Sequence, residues 1–340
     1  MEELISSNNE NSSLEPDYLL EFKDVTEVFR SGHVRNYALD GVNLKIKPGE
    51  TVAVVGESGS GKTTLGLLAV KLINPTKGEI NFEGRNVAKI RGSRLREYRL
   101  TTQMIFQDPY SSLNPYNTIL ESVSLPLVAN KRTIENREGI KLTKEVIRER
   151  VSVILTRVGL SPGENFLDIY PKKLSGGQRQ RVAIARSLIL NPKFIVADEP
   201  TSMLDVSISA QVLNLLSQLK KEFNFSMMYI SHELATSRFI SDKMAVMNLG
   251  RIVEYGPSEA ITDHPVHPYS DILIKSAPDI DGFMDPDSAR KIDYNVYNGG
   301  IKGCTFVQSC PFVTDQCIEE RPELQDLGNG HYVACFHPLK

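Results

Sequence analysis

The run Gly56-Glu57-Ser58-Gly59-Ser60-Gly61-Lys62-Thr63, set directly behind the apolar stretch Thr51-Val52-Ala53-Val54-Val55, constrains this chain more than any other feature. Glycines reach backbone angles closed to other residues and let successive N–H groups turn inward around an anion. Lys62 supplies a mobile point charge for the β- and γ-phosphates of a nucleotide and Thr63 a hydroxyl for Mg2+. The helix opening at Lys62 aims its N-terminal dipole at the same charge. At ordinary residue usage such a pattern arises by chance in a chain this long with a probability of about one per cent. With a strand before it and a helix over 63–73 after it, a glycine turn that binds nothing is the lesser reading.

At 340 residues and 41% hydrophobic content the chain can bury a sizeable core and has length for roughly two or three domain-sized units. No apolar run approaches the roughly 20 residues that a membrane-spanning helix needs; 194–197 and 244–247 are strand-sized. The start, Met1-Glu2-Glu3-Leu4 followed by Ser and Asn, lacks the basic and apolar regions of a signal peptide, so a cytoplasmic chain with a disordered polar tail over 1–16 is expected. A net charge of −3 offers no electrostatic reason for a nucleic-acid partner.

Segments 19–28, 44–46, 51–55 and 79–82 read as strands, with turns at Lys47-Pro48-Gly49-Glu50 and Glu83-Gly84-Arg85. Residues 130–159 read as a charged helical insertion, with Val146, Ile147, Val151, Ile154, Leu155 and Val158 on one face. Strands 194–197, 225–230 and 243–247 then alternate with helices 207–223 and 234–240, which predicts an α/β fold with a parallel sheet and crossover helices.

Strand 194–197 ends in Asp198-Glu199, at the edge where ligands of parallel sheets bind. Asp198 suits Mg2+, which prefers one or two carboxylates plus phosphate oxygens, and Glu199 is placed to polarise an attacking water. Two solvated acids in a turn are the bland alternative, and a phosphate cradle in the same chain makes it the lesser one. Leu174-Ser175-Gly176-Gly177-Gln178, ahead of a helix over 178–190, is a second anion-binding signal with a free Ser175 hydroxyl. The cradle already surrounds its own phosphates, so a second grip points to a nucleotide sandwiched between two subunits.

In this order the motifs resemble the ATP-binding subunit of an ABC transporter over about residues 19–256. Segment 56–63 resembles Walker A, Gln107 in Met104-Ile105-Phe106-Gln107-Asp108 the Q-loop, 174–178 the signature sequence and 195–199 Walker B. Ser202-Met203-Leu204-Asp205 resembles the D-loop, with Met203 where alanine is usual, and His232 in Ile230-Ser231-His232-Glu233 the switch histidine. The resemblance implies a P-loop NTPase of ABC type: an ATPase domain over 17–256, with an antiparallel β subdomain and a helical subdomain at about 108–186, then a small cysteine-rich extension over 257–340. It implies that Gly56, Glu57, Ser58, Gly59, Ser60, Gly61, Lys62, Thr63 and Thr64 bind the phosphates of ATP, with Thr63, Gln107 and Asp198 serving Mg2+. Ser175, Gly176, Gly177 and Gln178 would grip the nucleotide of the opposite subunit, and Asp205 joins the nucleotide-contacting set. Glu199 would be the general base, His232 would steady the γ-phosphate and water, and Gln107 would sense phosphate and metal. Phe29 is favoured over Tyr37 as the adenine platform, because 30–36 reads as a loop after its strand; for either ring a packed sheet residue is a near-equal alternative.

Asp108-Pro109-Tyr110-Ser111-Ser112-Leu113-Asn114-Pro115, Asp205-Val206-Ser207-Ile208-Ser209-Ala210-Gln211 and His264-Pro265-Val266-His267-Pro268-Tyr269 resemble the oligopeptide/dipeptide-type importers, a branch that also holds importers of nickel and oligosaccharides. Such importers pair two different ATPases, and 183–188 with 205–207 looks like the second of the pair. The implied partners are a paralogous ATPase in a heterodimer, two permease subunits and an extracellular solute-binding protein, at the cytoplasmic face of the membrane. Residues 111–115 would lie near the surface receiving a permease helix. The alternative is a soluble ABC ATPase acting as a nucleotide-gated binding module; relatives of that kind carry two cassettes or a long coiled-coil insertion, and this chain has one cassette and a short insertion.

All four cysteines, Cys304, Cys310, Cys317 and Cys335, lie in the last 37 residues. In a reducing compartment four soft ligands favour metal over disulfide, as Zn2+ or a [4Fe–4S] cluster. The spacings lack CxxC knuckles, and the segment resembles the C-terminal extension of peptide-importer ATPases, some of which hold an iron–sulfur cluster. A structural cluster is therefore preferred to zinc, with His331 and His337 as nearby substitute ligands. The cradle itself yields a direct test: Lys62→Ala is expected to weaken nucleotide binding by roughly ten- to a hundredfold, read by titration with a fluorescent nucleotide.

Overall fold

In the computed structural model, which describes residues 17–32, 34–276 and 302–340, the chain opens on an antiparallel hairpin of β1 (Leu20–Ser31) and β2 (Val34–Ile46). The 1–16 tail expected to be disordered lies outside the described residues. Residues 30–36 are not the expected loop: Arg30 pairs with Arg35 and Ser31 with Val34 around Gly32 at φ +60°. A tight turn suffices there, so the ladder continues through residues whose polarity looks like a break, and β2 begins well before the expected strand at 44–46.

β3 (Thr51–Val55) is buried at every position. α1 (Lys62–Ala69) stops short of the expected residue 73, with Lys71 at φ +57°. β4 (Lys77–Phe82) and β5 (Arg85–Asn86) complete a four-stranded antiparallel sheet in the order β2-β1-β4-β5. α2 (Gly92–Thr101) and β6 (Thr102–Ile105) lead into the helical part: α3 (Pro109–Ser112), α4 (Ile119–Ala129), α5 (Lys131–Glu138), α6 (Lys144–Arg157) and α7 (Gly176–Leu188). The insertion expected over 130–159 is broken by Gly139, at φ +69°, into α5 and α6. α4 has no counterpart in the sequence reading; a Thr118/Glu121 capping box starts it, and Pro126 inside it disguises the pattern.

Strand and helix then alternate as predicted, through β7 (Phe194–Asp198), α8 (Val206–Phe223), β8 (Ser226–Ser231), α9 (Leu234–Ile240) and β9 (Lys243–Asn248). β10 (Arg251–Pro257), α10 (Ser258–Asp263) and α11 (Pro268–Lys275) follow, and after the undescribed stretch come α12 (Asp315–Glu319), β11 (Gln325–Asp326) and β12 (Tyr332–Val333).

The main sheet has eight strands in the order β11-β12-β10-β9-β3-β8-β7-β6. The five from β9 to β6 are parallel, and β10, β12 and β11 attach antiparallel. Coverage on both faces accounts for the unbroken apolar runs of β3, β7 and β8. One face packs Val52, Val54, Phe194 and Met228 against Leu65 and Leu68 of α1 and against the antiparallel sheet. The other packs Ala53, Val55, Ile195 and Ala197 against Val182 and Leu216 of the helices.

The C-terminal extension is built into this second core, to which Tyr269, Cys304, Phe306 and Cys317 belong. β12 pairs with β10, setting Val333 opposite Glu254. Glu254 is fully buried; its carboxylate accepts from the amides of Val266 and His267 at 3.0 and 2.9 Å and meets His331 Nε2 at 2.8 Å. A buried carboxylate is tolerated only with such a set of partners, so this cluster fastens three segments at one point.

Candidate nucleotide-binding site

The C-terminal ends of β3, β8, β7 and β6 share one edge of the sheet, the edge at which parallel sheets bind ligands. The cradle follows β3. Gly56 has φ +149°, and a Cβ there would stand 2.2 Å from the Met247 carbonyl oxygen; at Gly61, φ +105°, it would stand 2.3 Å from the Ala38 oxygen. Conformation and space therefore both demand glycine at these two positions. Lys62 Nζ donates to the carbonyls of Gly56 and Glu57, each at 2.7 Å, which fold the ammonium over the loop. Burial lowers the Lys62 pKa, opposed by Glu199, Asp198 and Glu57, and burial raises that of Glu57.

Thr63 Oγ1 donates to Asp198 Oδ1 at 3.2 Å, joining α1 to the end of β7. Burial pushes the Asp198 carboxyl above its ordinary range, with Glu199 adding to the rise and Thr63 and Lys62 opposing it. A hydroxyl, a carboxylate and the amide oxygen of Gln107 are hard donors, and as chemistry this set fits Mg2+.

Glu199 follows β7 at φ +43° and donates its amide to the Ile230 carbonyl at 2.9 Å. A left-handed conformation costs a non-glycine residue about 1–2 kcal/mol. Gln107 Nε2 donates to Glu199 Oε2 at 2.8 Å, and His232 Nδ1 lies 3.2 Å from Oε1. Sheet order explains the trio: β7 runs between β6, which delivers Gln107, and β8, which delivers His232. A carboxylate held on both oxygens has one orientation, and a carboxylate is a group able to take a proton from water.

The second grip lies on other elements. Ser175 and Gln178 form a capping box, the Gln178 amide donating to Ser175 Oγ at 3.3 Å and the Ser175 amide to Gln178 Oε1 at 3.0 Å. α7 therefore starts at Gly176, ahead of the expected 178, and the Ser175 hydroxyl is not free: its oxygen is engaged, although among the described residues its proton has no acceptor. Gly177 has a packing reason, since a Cβ would come within 2.7 Å of Ile208 Cγ2. Asp205 caps α8, accepting from the Ile208 amide at 3.0 Å and the Ser207 hydroxyl at 2.7 Å, bonds that hold its carboxyl below the ordinary range. None of these bonds reaches the cradle of the same chain. Met203 is exposed, so the departure from alanine sits on the surface. Phe29 is 44% exposed on β1 opposite Asn36, while Tyr37 is half-buried opposite Val28, so Phe29 offers the freer ring.

One cradle contact is absent from the sequence reading: the Glu57 amide donates to Tyr269 Oη at 3.1 Å. The His267-Pro268-Tyr269 triplet was visible in the sequence only as a mark of branch.

The four cysteines line one small cavity with His267, Phe312 and His337. Cys304, Cys317 and Cys335 are buried, Cys310 is half-buried, and none forms a disulfide. Burial pushes the Cys304, Cys310 and Cys335 thiols up, Cys335 to about 11, and neighbouring cysteines add to each rise. Among the described residues no three His, Cys, Asp or Glu side chains form a group that could hold a metal ion. His267 Nδ1 accepts from the Tyr269 amide at 3.0 Å, and burial lowers its pKa to about 3. The ring is therefore neutral with its proton on Nε2, which is buried and has no partner among the described residues. Of the substitute ligands, His331 is engaged away from the cavity by Glu254, whereas His337 lines it, with Nε2 beside Thr314 Oγ1 at 3.0 Å.

Comparison with known proteins agrees with this geometry. Residues 39–202 match the family described as ABC transporter, and residues 253–317 match the oligopeptide/dipeptide transporter C-terminal region. The chain is 40% identical over 333 residues to the oligopeptide transport ATP-binding protein AppF of Bacillus subtilis, covering 93% of this chain and 96% of that one. It is 41% identical over 306 residues to OppF of Salmonella typhimurium, an oligopeptide transport ATP-binding protein, covering 88% and 87%. Among solved structures, a dimeric post-hydrolysis state of the ATP-binding cassette MJ0796 bound to ADP and Pi superposes with a TM-score of 0.62 at 33% identity, over 70% of this chain and 98% of that one.

Replacing Glu199 with Gln is expected to leave ATP binding within about threefold while turnover falls at least about a hundredfold. Phosphate release assayed beside nucleotide titration checks it, and unchanged turnover removes Glu199 from the role of base.

Proposed function

The chain belongs to the ATP-binding subunits of ABC transporters of the oligopeptide/dipeptide type, and from that premise we propose that it couples ATP hydrolysis to the import of peptides through a membrane permease. Membership makes it an ATPase that is peripheral to the membrane. The observation that carries the reading is the Glu199 carboxylate held between Gln107 and His232, at the sheet edge that also bears the cradle.

In the mechanism we infer, Lys62 leaves the Gly56 and Glu57 carbonyls for the β- and γ-phosphates, whose anionic oxygens make stronger charge-assisted bonds. Thr63, Asp198 and Gln107 would hold Mg2+, which when bound neutralises charge developing on the phosphate oxygens. Both Glu199 oxygens are engaged in this structure, so a water reaches the carboxylate by displacing one partner. Release of the Gln107 amide from Oε2 would free that oxygen to take the water proton, while the water oxygen attacks the γ-phosphorus and the bond to ADP breaks. His232, still beside Oε1, steadies water and phosphate. Gly56 to Thr64 cradle the phosphates, with Phe29 beneath the adenine.

Ser175, Gly176, Gly177 and Gln178 would complete the site of a second subunit, driving closure of a nucleotide-bound dimer. The Ser175 proton at the start of α7, which has no acceptor among the described residues, supports this, as does the dimeric cassette bound to ADP and Pi among the solved relatives. We infer a paralogous ATPase as that subunit, hence a heterodimer, with two permease subunits and an extracellular solute-binding protein completing the importer. Peptides are preferred to nickel or oligosaccharides as cargo because the similar proteins are oligopeptide and di/tripeptide transport subunits. A groove of about 780 Å³ beside Gln107, lined by Leu72, Arg99, Met104, Phe106, Leu125 and Arg186, suits an amphipathic permease helix, with Leu72, Phe106 and Leu125 exposed. The domain limits we assign are 17–256 for the ATPase, with its helical part at about 108–186, and 257–340 for the extension.

For the cysteine cavity we favour a [4Fe–4S] cluster, held by Cys304, Cys310, Cys317 and Cys335, over Zn2+. All four thiols line one cavity, whose wall also carries a His267 N–H with no partner among the described residues; a sulfur-rich group would have to draw the thiols together, since as placed they form no ready ligand set. Such a group would pin the loops of the extension structurally, and because burial raises these thiol pKa values its binding releases protons.

Purification from membranes in mild detergent is expected to bring down integral permease subunits and a second ATPase; a stable complex with soluble partners alone would sink the importer reading. Cys304→Ser and Cys335→Ser are each expected to abolish most of the iron in anaerobically purified protein, measured by elemental analysis, whereas unchanged iron and zinc contents would remove the metal site.

A further inference from the structure

Tyr269 stands near the start of α11 with its side chain completely buried, between the cysteine cavity and the cradle. Its hydroxyl oxygen accepts from the Glu57 amide at 3.1 Å. The Glu57 carbonyl in turn accepts from the Ser60 amide at 3.2 Å and from Lys62 Nζ at 2.7 Å. One residue thus closes the first turn of the cradle and holds its lysine, and Tyr269 grips that residue from behind. On the far side the loop is set against β9, with Gly56 pressed to the Met247 carbonyl.

The ring of Tyr269 is located by the extension. Phe306 packs on it with centroids 5.3 Å apart, and the Phe306 amide lies 3.4 Å from Cys304 Sγ. His267, whose Nδ1 takes the Tyr269 amide, packs on the same phenylalanine at 6.2 Å and lines the cysteine cavity. Glu254 holds the His267 amide at 2.9 Å and so fixes the approach of the chain to Tyr269.

We propose that Tyr269 is a positioning residue for ATP binding, which sets the Glu57 peptide of the cradle and is itself set by Phe306 of the cysteine-rich extension. Contacts run unbroken from Cys304 through Phe306 and Tyr269 to Glu57 and Lys62. The phenol stays neutral across the working pH range, because burial pushes it up to about 12. The proposal does not rest on a metal at the cysteines.

Buried tyrosine hydroxyls usually find a hydrogen-bond partner whatever their role, so the test must separate positioning from filling. Tyr269→Phe in the full-length protein keeps the volume and removes one oxygen. Positioning predicts that Kd and KM for MgATP rise about five- to tenfold while kcat stays within about twofold, and that amides 56–60 exchange hydrogen faster in nucleotide-free protein. Unchanged Kd, KM and exchange overturn the proposal, as does a fall in kcat at unchanged KM. Phe306→Leu keeps the hydroxyl and loosens only its support, and remains informative if the tyrosine variant folds poorly; a rise in Kd of about two- to threefold is expected. An unchanged Kd in that variant overturns the link to the extension. Iron content of Tyr269→Phe is expected to equal that of the parent protein, so this test and that of the cysteine site can fail separately.

Discussion

The parallel ladder β6-β7-β8-β3 is the constraint on which the rest of the molecule depends. Its register sets Ile105 beside Ala197, Asp198 beside Ile230, and Val55 beside Ser231, so the four strands end at nearly one level. Neighbouring strands lie about 4.8 Å apart, which brings the residues following them, Gln107, Glu199, His232 and Gly56, onto one short edge. A slip of one residue would carry every side chain of a strand to the opposite face. Both faces are covered by apolar packing, so that slip would put the whole core out of register.

At this edge the protein's own groups satisfy one another. Lys62 rests on two carbonyls, Thr63 on Asp198, and the Glu199 carboxylate on Gln107 and His232. Each buried charge is balanced locally, as a low-dielectric site demands. In the mechanism we propose, binding would exchange these partners instead of building a site, which is how a preorganised site limits reorganisation during reaction. The extension joins the same economy of contacts: it reaches the cradle through Tyr269 and the sheet through β12 and the buried Glu254.

Legibility in the sequence followed the locality of the interaction. α9, with bounds 234–240, and the apolar strands β3 and β7 could be read because burial on both faces leaves a continuous run. α4 was hidden by Pro126, and β2 by polar residues that pair across a hairpin, because ladder partners and tertiary support decide such segments. Ser175 reads in the sequence as an anion grip; the structure shows its oxygen in a capping box with Gln178, a contact that the Ser-to-Gln spacing itself encoded. His331 looked like a spare ligand until the fold placed it against Glu254, 77 residues away in sequence.

The sequence by itself determined that the chain builds a phosphate cradle, ends a buried strand in Asp198-Glu199, and gathers four cysteines near its end, since each of these is written in neighbouring residues whose chemistry is local. Only the tertiary structure decided that Glu199 sits between Gln107 and His232, because that depends on β7 lying between β6 and β8, an order the chain does not follow. The tertiary structure alone also brought Tyr269 to Glu57 across 212 positions, since a contact so distant arises only when the extension shares a core with the sheet.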